Sequence, residues 1–220
     1  MDRRIKIAII LLFIGAIVLS IAAHVFAVFP GDLEISQAMR EINNTGFSLV
    51  MQGVSTVGET FTGLLMIGAV TAFFLIGRRW PEAVFTFITG SNFVVTALIK
   101  VLVARPRPPY YLPNPSDTFP FIDQYSFPSG HVLFFVVFFG FIAYLAWFCQ
   151  TGRVRMIIPA LCCALILLIG PSRVYLGAHW SSDVLGSYII GTLWLILIIL
   201  GYRMALARMN TGSEGTPVRT

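Results

Sequence analysis

Three short stretches hold most of the residues in this chain that could do chemistry. Lys100 is followed by Arg105-Pro106-Arg107-Pro108, then Pro128-Ser129-Gly130-His131, and finally Ser172-Arg173 with His179 and Asp183 beyond. Lysine offers a point charge and arginine a planar fork, so Lys100, Arg107 and Arg173 together suit a dianionic oxyanion. The prolines end whatever helix carries Lys100 and hold the arginines on a stiff, extended segment. Ser129 and the backbone N–H groups of Gly130 and His131 are placed to open a helix, where orphan donors and the helix dipole favour an anion. His179 and Asp183 are spaced i and i+4, which on a helix puts them on one face within hydrogen-bond reach. A carboxylate on one imidazole nitrogen fixes the tautomer and leaves the other nitrogen free to attack. His131 then supplies a second imidazole, available as an acid. A phosphate cradle, an oriented nucleophile and a proton donor make a phosphoryl-transfer site.

Such groups need elements to carry them, and the composition says which. The 220 residues are 57% hydrophobic and 11% charged, with a mean hydropathy of +0.83 and a net charge of +5. An average soluble domain is about 25% charged. So few charges cannot cover a soluble surface, which excludes a soluble enzyme, a nucleic-acid-binding domain and a disordered regulator. Runs free of Asp, Glu, Lys and Arg at 7–31, 60–77, 83–99, 124–152, 156–172 and 184–202 predict six membrane-spanning helices, at roughly 20 residues per crossing. The first is too long in its apolar part for a signal peptide. The polar run 42–58 is rejected as a span, and 31–55 reads as an amphipathic segment at the interface. One all-α domain over 1–203, followed by a short polar, disordered tail over 204–220, is expected. With the N-terminus cytoplasmic, ten of the fifteen basic residues fall inside, namely Arg3, Arg4, Lys6, Arg78, Arg79, Arg153, Arg155, Arg203, Arg208 and Arg219. That satisfies the positive-inside rule. Lys100, Arg105, Arg107 and Arg173 then collect outside with both site histidines.

In order, Lys100-x6-Arg107-Pro108, Pro128-Ser129-Gly130-His131 and Ser172-Arg173-x5-His179-x3-Asp183 resemble the signature of the type 2 phosphatidic acid phosphatase (PAP2) superfamily, which also includes vanadium haloperoxidases and glucose-6-phosphatase. All three motifs match without a departure, over roughly residues 95–190. The resemblance implies a PAP2-type helical bundle in which His179 is the nucleophile of a phosphohistidine intermediate and Asp183 orients it. It implies that His131 protonates the leaving group, while Lys100, Arg107, Ser129, Gly130 and Arg173 bind the phosphoryl oxygens. No metal or other cofactor is implied. The substrate implied is a lipid phosphate or diphosphate of a bacterial plasma membrane, such as undecaprenyl diphosphate, phosphatidylglycerophosphate or phosphatidic acid. The first of these is favoured. No nucleic-acid partner is expected.

Other readings compete. His131, His179 and Asp183 could form a two-histidine, one-carboxylate metal site, although the neighbouring cations would repel a divalent ion. An anion or lipid transporter could use the same outer cations, but mid-membrane polarity is limited to His24, Asn92 and a few hydroxyls. A haloperoxidase is disfavoured by the six spans. Arg105 is open between phosphate contact, head-group contact and simple solvation, and Glu59 and 31–55 are undecided between steering a lipid and packing. Cys149, Cys162 and Cys163 read as small buried hydrophobes, and Gly63 and Gly90-Ser91 as close-packing positions.

Overall fold

The computed structural model describes residues 2–111 and 120–213, and the described chain is helical with no strand. Helix α1 (Arg3–Val25) starts where the Asp2 side chain accepts from the Arg4 amide, and beyond its basic first turns it is apolar from Ile7 to Ala23 except for Ser20. At about 1.5 Å per residue such a helix covers the roughly 30 Å of bilayer hydrocarbon. A turn at Gly31 leads into α2 (Asp32–Arg40), and Asn44 caps α3 (Thr45–Val57) by accepting from the Phe47 amide. Gly58 and Glu59 separate α3 from α4 (Thr60–Ile76), with a bend of 60°. Helices α5 (Trp80–Thr89) and α6 (Ser91–Val103) meet at Gly90 and act as one span. After the short α7 (Pro120–Asp123), α8 (Gly130–Phe134), a π-helical turn at Phe135–Phe139 and α9 (Gly140–Cys149) form another. Helices α10 (Val154–Tyr175) and α11 (Ser181–Ser213) complete the bundle.

Among the described residues five helices are long and apolar enough to cross a membrane, or six if the bent α3–α4 pair is one span. Exposed Leu11, Phe61, Phe73, Leu102, Leu161 and Leu167 give the bundle its lipid-facing coat. The chain is an integral membrane protein. Three expectations need correction. Residues 31–55 are not one interfacial segment: a break at 41–44 divides α2 from α3. Helix α3 buries Met51, Val54 and Ser55, and it packs on α10. The disordered tail expected from residue 204 is also overturned, because α11 continues to Ser213. The remainder of the predicted tail, 214–220, lies outside the described residues. Of the cysteines only Cys162 is buried; Cys149 and Cys163 are exposed.

The span from Gly130 to Cys149 is the centre of the bundle. Val132, Leu133, Phe134, Phe135, Val137 and Phe138 are all buried, and the Phe134 ring stacks on Phe93 and Phe138 at centroid distances of 5.8 and 5.3 Å. Lipid tails are as apolar as these rings, so the core is held by close contact and dispersion instead of water expulsion. Small residues permit that approach: a Cβ at Gly63 would lie 3.2 Å from both Phe93 and Phe134. On α11, a Cβ at Gly186 would meet Phe127 at 2.4 Å, and Phe127 is buried next to the loop residues Ser126 and Ser129. Gly186→Ala is therefore expected to destabilise the protein by about 1–3 kcal/mol through overpacking. Thermal unfolding of the detergent-solubilised protein would show it; an unchanged midpoint would contradict the packing described.

Candidate active site

The site is assembled where three helix ends meet. Helix α6 ends just past Lys100 when Ala104 turns into the left-handed region at φ 52°. The chain then runs extended, with Pro106 bridged antiparallel to Tyr125, and the Ser126 amide donates to the Arg105 carbonyl at 2.8 Å. Gly130 and His131 open α8, and Arg173 lies in the last turn of α10. Backbone bonds from the Ala178 and His179 amides to the Arg173 carbonyl fold the α10–α11 turn back, fixing His179 beside Arg173.

A cavity of about 610 Å³ lies between them. Lys100, Arg107, Gly130, His131, Arg173 and His179 line it, together with Gly58 and Asp123. Phe93, Val94, Ala97, Leu98 and Val101 make its apolar wall. Lys100 Nζ pairs with Asp123 Oδ1 at 3.0 Å. Arg107 donates from Nε to the Asp123 carbonyl at 2.6 Å and from Nη1 to the Ala178 carbonyl at 2.8 Å, with its guanidinium over the Tyr111 ring. Arg173 Nη1 donates to Ser55 Oγ, so α3 positions a site cation. Six of the eight residues expected from sequence thus share one cavity. Ser129 and Asp183 stand behind it. The Ser129 amide donates to Ser187 Oγ at 2.7 Å, and its buried hydroxyl has no hydrogen-bond partner among the described residues.

The expected contact between His179 and Asp183 is different in kind. Nδ1 of His179 lies 3.8 Å from Asp183 Oδ2, too far for a hydrogen bond. The reason is that α11 begins at Ser181, so His179 precedes the helix and the i,i+4 geometry does not apply. Nδ1 instead meets the Ser126 carbonyl at 2.7 Å. A carbonyl only accepts, so Nδ1 carries the proton and the Nε2 lone pair is available. Burial, then the positive field of Arg107, Arg173 and Lys100, holds the His179 imidazolium pKa well below the usual histidine value, and the ring is neutral at pH 7. Asp183 accepts from Ser126 Oγ, from the Trp180 amide at 2.9 Å and from Arg105 Nη1. One residue, Ser126, therefore bonds the imidazole with its carbonyl and the carboxylate with its hydroxyl.

Arg105 fits none of the three roles open to it. It is 1% exposed and spans Asp183 and Asp32, with Nη2 2.8 Å from Asp32 Oδ2. Its position beside Arg107 was visible, but nothing local ties it to a carboxylate 73 residues earlier. Gly58 was missed likewise: a Cβ there would come within 2.6 Å of the His131 ring. Asp183 is turned towards Arg105, Ser126 and Trp180, so it does not converge with the two imidazoles on a common metal position.

Cations gathered at one end of an apolar cavity, with a neutral imidazole among them, can bind a phosphoryl group and attack it. Fold and site together define an integral membrane phosphatase. The PAP2 superfamily model matches residues 81–206, and the chain belongs to that superfamily. It is 28% identical over 207 residues to phosphatidylglycerophosphatase B of Bacillus subtilis, covering 90% of this chain and 96% of the relative. Over 135 residues it is 32% identical to undecaprenyl-diphosphatase of Sulfolobus acidocaldarius, covering 57% of this chain and 58% of that one. The crystal structure of the transmembrane PAP2 type phosphatidylglycerolphosphate phosphatase from Bacillus subtilis superposes with a TM-score of 0.73 at 25% identity, covering 96% of this chain and 98% of the other. The protein is a phosphoric ester hydrolase of the PAP2 lipid phosphatase family.

Asp123 holds Lys100, one of the cavity cations that the sequence motif assigns to phosphate binding. A partly exposed pair of this kind is worth up to about 1 kcal/mol, roughly a fivefold effect on binding. Asp123→Asn is expected to lower KM for a lipid phosphate by two- to fivefold. Phosphate-release kinetics would check this, and a raised KM would show that Asp123 assists the cradle.

Proposed function

We propose that this phosphatase acts on phosphorylated lipids at the extracytoplasmic face of a bacterial plasma membrane, through a phosphohistidine on His179. The observation that carries the reading is the single cavity joining Lys100, Arg107 and Arg173 to an apolar wall from α6. A lipid phosphate places its head group against the cations and its chains along that wall. The basic residues Arg3, Arg4, Arg78, Arg79, Arg153 and Arg155 lie at helix ends separated by whole spans from the site, which supports a cytoplasmic N-terminus. Six crossings, with the bent α3–α4 pair taken as one, support the same side for the C-terminus.

In the first step His179 Nε2 attacks phosphorus, forming a P–N bond as the P–O bond to the leaving group breaks. His131, charged as the imidazolium once the dianionic phosphoryl group offsets the cations, gives that proton to the departing oxygen and is left neutral. Lys100, Arg107, Arg173 and the Gly130 amide bind the equatorial oxygens where charge is concentrated. In the second step His131 takes a proton from water, whose oxygen attacks phosphorus; the P–N bond breaks and inorganic phosphate leaves. The buried Ser129 hydroxyl, without a hydrogen-bond partner among the described residues, supports its assignment as a further donor to the phosphoryl oxygens. Asp183 acts on His179 through Ser126.

Phosphatidylglycerophosphate and undecaprenyl diphosphate are the substrates that the relatives' names support, and phosphatidic acid shares their chemistry. Purified protein is expected to release phosphate from at least one of the three without added metal, and His179→Ala to lose that turnover by at least about a thousandfold. Full activity in His179→Ala would remove the nucleophile assignment. Release from glucose 6-phosphate but from none of the lipids would remove the lipid assignment.

A further inference from the structure

The N-terminal unit formed by α1 and α2 lies outside the matched family segment of 81–206, yet it reaches the site through one buried residue. Asp32 is 1% exposed and accepts hydrogen bonds from five groups: the Phe29 amide, the Ser182 amide and hydroxyl, the Ser181 hydroxyl and Arg105 Nη2. Burial alone would raise the Asp32 pKa, but the bonds from Ser182 and Phe29 outweigh it and hold the carboxyl below its usual value. The same turn supplies two more contacts to the guanidinium. Arg105 Nε donates to the Ala27 carbonyl at 3.1 Å, and the Phe29 ring lies 4.6 Å from its central carbon. The other edge of the guanidinium holds Asp183, and Asp183 holds Ser126, whose carbonyl is on His179.

We infer that Asp32 and Arg105 are positioning residues for the reaction, forming a buried relay from α2 through Asp183 and Ser126 that fixes the imidazole of His179. Neither touches the cavity, and neither belongs to the phosphate cradle. Their effect is on how well His179 Nε2 is aimed, which appears in kcat. A displacement of the order of 1 Å in a nucleophile can cost up to about a hundredfold in rate. The fixed planar spread of arginine is what allows one side chain to hold two carboxylates. Lysine at 105 keeps the charge but cannot span both. The inference rests on His179 being the nucleophile.

The test is steady-state phosphate release from phosphatidylglycerophosphate vesicles by Asp32→Asn, Asp32→Glu and Arg105→Lys, each checked for monodispersity and thermal unfolding. Asp32→Asn and Arg105→Lys are expected to lose about tenfold in kcat with KM within twofold, and Asp32→Glu to recover part of it. The discriminating measurement is the double variant. In an Asp183→Asn background, Asp32→Asn should cost less than twofold, because the relay is already cut; a purely structural role would add its full penalty again. Wild-type kcat in Asp32→Asn and Arg105→Lys, an undiminished loss in the Asp183→Asn background, or failure of all three single variants to fold would overturn the inference. His179→Ala run alongside separates the two readings. Activity retained there removes the nucleophile assignment, whereas a dead His179→Ala beside a fully active Asp32→Asn removes only the relay.

Discussion

Holding four cations at the membrane edge is the constraint on which the rest of this structure depends. Lys100, Arg105, Arg107 and Arg173 converge at one end of the bundle, and Lys100 and Arg105 are buried. Removing an ion from water costs several kcal/mol unless partners replace the hydration, and deleting one partner of a buried pair costs about 3–5 kcal/mol. Arg105 is satisfied most completely, between Asp32 and Asp183 and against the Phe29 ring. To do this, the α1–α2 turn, the segment after α6 and the start of α11 must meet at one point. The architecture of this end of the bundle follows from that meeting. Arg107 donates to the carbonyls of Asp123 and Ala178, and Arg173 to the hydroxyl of Ser55.

The same field acts on His179, the nucleophile we propose. An imidazole buried beside three cations is disfavoured as imidazolium, so His179 stays neutral, and the Ser126 carbonyl assigns its proton to Nδ1. A neutral nucleophile in a positive site is the arrangement that a dianionic phosphoryl group requires, since the charge is in place before the substrate arrives. In the function we propose, the apolar half of the cavity takes the other end of an amphiphile. The buried aromatic core around Phe134 and the glycine approaches at Gly63 and Gly186 give the helix ends a rigid platform.

Much of this was legible in the sequence. Charge-free runs marked the spans because lipid leaves little room for polar side chains, and residue type and spacing singled out Lys100, Arg107, His131, Arg173 and His179, which the fold brings to one cavity. Backbone-level features were not legible. The carbonyl of Ser126 has no signature in residue type, and the i,i+4 spacing of His179 and Asp183 suggested a direct bond only because it assumes a helix that starts two residues later. Long-range pairing was hidden too. Asp32 and Arg105 are each ordinary locally, and polarity over 42–58 concealed a helix that packs Ser55 beneath Arg173. The length of α11 beyond Arg203 was misread because polar residues continue a helix as readily as they end one.

The most direct test of the central claim is to trap the phosphoryl-enzyme. Protein turning over a lipid substrate labelled in the reacting phosphate would be quenched in base, where phosphohistidine survives, and the labelled peptide mapped. The account predicts label on the imidazole of His179, lost on acid treatment. Turnover with no label on His179, or with label on another side chain, would contradict it.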